Sequence, residues 1–204
     1  LGVALASAAL PASTATADPG AAESGTPGVR LGPGGHRTVG LVRGSETDPA
    51  AERLVRTALR GAGVDRVVAV DSPRDPGTPV TVWLGDGDDA LAELGVDDAE
   101  GLPAEGYVLA AGRVPGTDRA HVVLDGVDAD GTFYAAQRFG RLAATRIVAP
   151  IDEREAPTMR YRGLIEGFYG TPWTHAERLD LIDYLGAHRM NTFEYAPKDD
   201  PYHR

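Results

Sequence analysis

An α+β domain, built on a mixed sheet with helices on one face and followed by a parallel β-α-β crossover, is the architecture this 204-residue chain predicts. Three observations predict it. As far as about residue 144, short apolar runs rich in β-branched residues alternate with segments of helical period. The stretch APIDEREAPTMRYRG, with two prolines and a run of charges, then breaks that rhythm as an interdomain connection would. Beyond it the order is strand, helix, strand. Two parallel strands joined by one helix make the right-handed crossover found in doubly wound sheets and in (β/α)8 barrels.

Each element has its own justification. The opening LGVALASAALPASTATADPG passes from an Ala-rich apolar segment to small residues ending Ala15-Thr16-Ala17, which reads as the tail of a secretory signal over residues 1–17 and predicts secretion. It lacks a charged n-region, so Leu1 is not expected to be the true start, and its apolar run is far short of the ~20 residues that span a bilayer. Residues 18–35 are dominated by Pro, Gly, Ser and Ala without apolar period, and are expected to be a disordered linker. Residues 36–150 are expected to form the small α+β domain and residues 158–204 the crossover unit. TVGLV, DRVVAVD and PVTVWLG read as strands, and EGYVLAAG and RAHVVLDG as a strand pair around Pro115-Gly116. Asp48-Pro49 is a helix-start signal ahead of Leu54, Val55, Ala58, Leu59 and Ala62 at helical spacing. A short helix fits Asp88 to Leu94, and a longer one fits Asp130 to Ala144. In the last part, MRYRGLIEG and NTFEYAP read as strands. The helix between them starts with the capping box Thr174-x-x-Glu177 and places Leu179, Ile182 and Leu185 on its inner side.

Composition excludes several function classes. A formal charge of −10, with no basic stripe, argues against a nucleic-acid footprint, because replacing phosphate counterions needs clustered Lys and Arg. The absence of cysteine removes disulfides, thiolate zinc sites and a cysteine nucleophile together. DGVDADG has the outward look of a calcium loop, but alignment on Gly131 puts Gly126 at the first ligand and Gln137 at the bidentate position, so turn and helix-cap use is expected. GPGG and LGDGDD lack the spacing of a dinucleotide site, and His175 and His203 do not form a metal set. No cofactor, metal or membrane partner is expected.

The chemistry-bearing residues gather at the end of the chain. In a parallel unit, binding groups collect at the carboxyl ends of strands, and EGFYG ends one strand while APKDD ends the other. Gly167 there lets a ligand approach the backbone, Lys198 offers a cationic donor to a sugar hydroxyl, and Tyr169 offers a flat face with a hydroxyl handle. Phe168, Trp173, Tyr184, Phe193, Tyr195 and Tyr202 lie nearby in sequence as core or as pocket lining.

The motifs RGLIEGFYGTPWTH and MNTFEYAPKDDPYHR, from Arg162 to Arg204, resemble the start of the catalytic barrel of glycoside hydrolase family 84, the retaining β-N-acetylglucosaminidases that include bacterial hexosaminidases and O-GlcNAcases. GLPAEGYVLAAG and GVDADGTFYAAQ carry a more general likeness to the small domain that often precedes such barrels. The resemblance implies a truncated (β/α)8 barrel and a substrate-assisted mechanism, in which the sugar's own acetamido oxygen attacks the anomeric carbon. It further implies a GlcNAc-containing glycan or glycoprotein as substrate and substrate-binding roles for Gly167, Lys198 and Tyr169. The catalytic Asp pair of the family lies at a later strand, so no catalytic residue is expected here, and Asp199-Asp200 is not that pair. Glu194 stands where the family frequently has a neutral residue. The other reading is a noncatalytic carbohydrate-binding module, or a degenerate remnant, in which the same three residues hold a glycan without cleaving it.

Overall fold

The computed structural model describes residues 28–45, 47–70, 77–167 and 171–195. Its centre is a six-stranded mixed sheet of β2 (Thr38–Arg43), β3 (Arg66–Ala69), β4 (Val80–Leu84), β5 (Tyr107–Arg113), β6 (Ala120–Gly126) and β8 (Ile151–Glu155), in the order β3-β2-β4-β6-β5-β8. The first four strands in that order are parallel, and β5 runs antiparallel to both β6 and β8. The expected mixed sheet is present, including the β5-β6 pair around the turn at Gly116.

Every residue of β4 is buried, which fits a central strand covered on both faces and explains why VTVWL is a continuous apolar run rather than an alternation. One face packs Val39, Leu41, Val82, Leu84, Leu109, Val122 and Leu124 against two helices, α1 (Pro49–Gly61) and α3 (Ala129–Ala143). From α1 come Val55 and Leu59, and from α3 Ala135, Ala136 and Phe139, the alanines letting α3 lie close to the sheet. Both helices start as the sequence indicates. Asp48 accepts from the Ala50 amide at 2.5 Å with Pro49 at the first helical position, and Asp128 accepts from the Gly131 amide at 2.8 Å. That second cap is the helix-cap use expected of DGVDADG.

Three expectations need correction. The helices do not all share one face, because α2 (Asp88–Leu94) packs Ala90 and Leu91 against Trp83, Val108, Ala110 and Val123 on the other side. The residues facing that side alternate with the first set along each strand, so a second apolar layer had to be covered. The linker does not run to Gly35, because β1 (Val29–Arg30) pairs antiparallel with β7 (Ile147–Val148), and Val29 and Leu31 are fully enclosed in the main core. Two apolar residues at alternate positions make a strand even within a Gly- and Pro-rich stretch. The seam begins later than Ala149, because IDERE forms the edge strand β8 against β5. Its charges are an edge strand's polar dress, and Ile151 still packs on the core.

The last part holds β9 (Gly163–Glu166), α4 (His175–Ala187) and β10 (Thr192–Tyr195), with β9 and β10 paired in parallel. The capping box is formed, Thr174 Oγ1 accepting from the Glu177 amide at 3.3 Å and Glu177 Oε2 accepting from the Thr174 amide at 2.7 Å. The inner stripe of α4 is shorter than expected. Leu185 is buried, but Leu179 and Ile182 are each 50% exposed, since a two-stranded sheet is too narrow to cover three turns of helix. Among the described residues, no helix is long and apolar enough to cross a membrane.

Candidate functional site

The site begins with the register of β9 and β10, which runs from Gly163 opposite Thr192 to Glu166 opposite Tyr195. Gly163 is required for that approach, because a Cβ there would lie 1.7 Å from the Thr192 carbonyl oxygen. The two carboxyl ends therefore share one rim. Gly167 follows β9 directly, is exposed, and a Cβ on it would meet no atom within 4 Å, so the backbone is open to an approaching group. Tyr169 and Lys198, with Asp199 and Asp200, lie outside the described residues. Thus Gly167 and the strand ends are brought to one edge, and the chain reaches Lys198 three residues after Tyr195.

Under this rim lies an interaction that sequence reading missed. Glu166, with a side chain only 2% exposed, forms a bidentate ion pair with Arg178, Nε to Oε2 at 2.8 Å and Nη2 to Oε1 at 2.9 Å. Its Oε1 also accepts from the Trp173 amide at 2.9 Å. The Arg178 guanidinium stands 4.5 Å from the centre of the Tyr195 ring. Hydrogen bonding to Arg178 holds the Glu166 carboxyl below the usual carboxylate range, against the opposing effect of desolvation. The signal was present as a lone carboxylate ending the apolar run Leu164-Ile165, a position that demands a partner. Trp173 is 39% exposed and, with Glu177 and Leu181, borders a hollow of about 300 Å³.

At the opposite end of β9 and β10, the unit docks on the sheet domain through polar contacts. Arg162 pairs with Glu105 and donates to the Tyr134 hydroxyl at 3.2 Å, and Asn191 Nδ2 donates to Glu105 Oε1 at 2.5 Å. Arg189 donates to Glu155 at 3.1 Å and to the Tyr107 hydroxyl at 3.2 Å. Gln137 of α3 donates to the Gly186 carbonyl of α4 at 2.7 Å. A cleft of about 540 Å³ runs along this joint.

A second crevice, of about 350 Å³, lies at the carboxyl ends of β2, β4 and β6, where Asp86, Asp125 and Asp128 meet. Burial, and then the neighbouring charge of Asp88, pushes the Asp125 carboxyl up to about 6. These carboxylates already serve the backbone. Asp86 accepts from the Ser45 amide at 3.0 Å, Asp128 from the Glu105 amide at 2.9 Å, and Asp125 from Gly87. Among the described residues, no group of His, Asp and Glu is arranged to hold a metal ion.

Comparison with known proteins finds matches among glycoside hydrolases. Residues 21–153, more than half of the chain, match the family model of glycosyl hydrolase family 20, domain 2, and the chain belongs to that domain family. Residues 162–204 match the beta-N-acetylglucosaminidase model. Taken together, the two matches and the relatives below support a likeness to the β-N-acetylglucosaminidases of family 84. The Protein O-GlcNAcase of Rattus norvegicus is 50% identical over 42 residues, covering 21% of this chain and 5% of that protein. The solved structure of CpGH84B aligns with 28% identity and a TM-score of 0.60, over 83% of this chain and 28% of that one. CpGH84D shares the fold with a TM-score of 0.63 at 22% identity, over 86% of this chain and 29% of that one. The chain therefore spans less than a third of either solved structure and a small part of the curated relative.

Proposed function

We propose that this chain is the amino-terminal part of a secreted, retaining β-N-acetylglucosaminidase that hydrolyses terminal β-linked GlcNAc from glycans or glycoproteins. The observation that carries the reading is the shared rim of β9 and β10 with the open backbone of Gly167, inside the segment that matches the β-N-acetylglucosaminidase model. A further observation supports β9-α4-β10 as the first unit of a (β/α)8 barrel. Leu164 and Ile165 project to opposite faces of β9 and both are exposed, as are Leu179 and Ile182 of α4. A strand apolar on both faces and a helix whose apolar stripe is left half uncovered belong to an architecture with further elements packed against them.

In this reading the Gly167 carbonyl accepts a hydrogen bond from a sugar hydroxyl, Lys198 donates to the sugar, and Tyr169 forms part of the pocket wall. Because the substrate's 2-acetamido oxygen attacks the anomeric carbon to give an oxazoline, the protein supplies no covalent nucleophile. Two aspartates from a later strand orient the acetamido group and move the proton to the leaving oxygen and from the attacking water. Asp199 and Asp200 take neither role. The crossover unit contributes binding and orientation.

The test is release of N-acetylglucosamine from an aryl β-N-acetylglucosaminide by the full-length protein. Turnover is expected, and Lys198→Ala is expected to raise KM by roughly tenfold or more, the worth of a charged hydrogen bond. Sugar binding without turnover would replace the hydrolase with a noncatalytic binding module, and neither binding nor turnover would remove the carbohydrate reading altogether.

A further inference from the structure

We propose that Glu166 is a positioning residue of the sugar site, which through Arg178 and the Trp173 amide fixes the backbone at Gly167 against the rim of β9 and β10. The inference rests on the reading of that rim as a glycan site. Gly167 has no side chain, and no described atom lies within 4 Å of where one would begin, so no side chain of its own anchors it. Glu166 before it and Trp173, where the chain enters α4, are the described points of restraint on either side. A single carboxylate ties both. Glu166 immediately precedes Gly167, and its Oε1 accepts from the Trp173 amide, one residue ahead of the Thr174 cap.

The other contacts of Glu166 extend the tie across the unit. The fork of Arg178 brings the start of α4 onto the carboxylate, and the same guanidinium lies over Tyr195, the register partner of Glu166 on β10. The end of one strand, the entry to the helix and the end of the other strand thus meet on one side chain. Apolar contact would hold these elements together without directional demand. A carboxylate this enclosed is stable only with each oxygen paired, so the arrangement specifies an orientation as well as a contact.

The experiment uses the full-length protein with Glu166→Gln, which keeps the size and an acceptor for the Trp173 amide, and Arg178→Lys, which keeps the charge but loses the fork. Steady-state kinetics on an aryl β-N-acetylglucosaminide, calorimetric binding of GlcNAc, and hydrogen exchange over the peptide containing Trp173 are measured for each. The expected result is KM and the GlcNAc Kd raised roughly tenfold, kcat changed by less than about threefold, and faster exchange at Trp173. Unchanged KM and Kd with only a lower Tm or a smaller active fraction would overturn the proposal, as would failure of both variants to fold, since Glu166 would then serve folding alone. A wild-type protein that neither binds nor cleaves the sugar brings down the glycan reading itself, whereas active wild type with variants of normal KM removes only the role of Glu166.

Discussion

Asp125 sits at the carboxyl end of β6 with 8% of its surface exposed, a backbone donor at Gly87, and Asp88, Asp86 and Asp98 as charged neighbours. With its folded carboxyl raised to about 6 from 3.8, the folded state binds the proton more tightly than the unfolded chain does. Stability from this group is therefore complete below about pH 4 and is lost as pH rises through about 6. Asp125→Asn is expected to remove that dependence and to stabilise the domain at pH 7.5 by about 2 kcal/mol, with little change at pH 4, as read from urea melts at the two pH values. His121 behaves in the opposite sense. Trp83 Nε1 can only donate, so His121 Nδ1 accepts at 3.1 Å and the ring proton resides on Nε2, facing Glu93 at 3.0 Å. Burial lowers the imidazole's affinity for a second proton. Neither environment was legible in the sequence. GDGDD and DGVDADG show acidic turns, but only strand register brings Asp86 and Asp125 to one crevice.

Among the secondary-structure elements, those with local chemical markers were readable and those defined by distant partners were not. Asp48-Pro49, Asp128 and the Thr174-Glu177 pair announce three helix starts, because a cap is satisfied within a few residues of itself. β1 and β8 have no such marker. β1 is two residues in a Gly- and Pro-rich stretch whose partner stands at Val148, and β8 is a charged run whose partner is β5. The exposed leucine and isoleucine of α4 were legible as a helical stripe but not as uncovered, since coverage depends on strands other than its own. The segment that starts with β1 and continues to Leu31 nevertheless anchors the domain. Leu31→Ala, at a fully buried position packed in the main core, is expected to cost about 2–5 kcal/mol and to appear as a lower urea midpoint with an unchanged slope.

In the whole molecule, two units meet across a joint that is mainly polar. Glu105 stands at its centre, taking Arg162 and Asn191 from the residues that lead into β9 and β10, so the sheet domain sets the angle at which the crossover unit leaves it. Glu105→Ala leaves a partly enclosed guanidinium without its counter-charge, at a cost of about 3 kcal/mol in docking. The expected outcome is faster proteolysis between residues 156 and 161 while the melt of the sheet domain is kept, which limited digestion and calorimetry would check. The rim of β9 and β10 was legible from EGFYG and APKDD, because parallel order alone puts both strand ends on one side; the joint and the Glu166 contacts were not, because their members are far apart in sequence. The chain holds two tryptophans, one in each unit: Trp83 is 3% exposed against His121, and Trp173 is 39% exposed beside the open glycine. Their emission spectra are expected to separate, a blue component from the sheet interior and a red one from the exposed indole. Intrinsic fluorescence thus reports on each unit by its own colour, with no label attached.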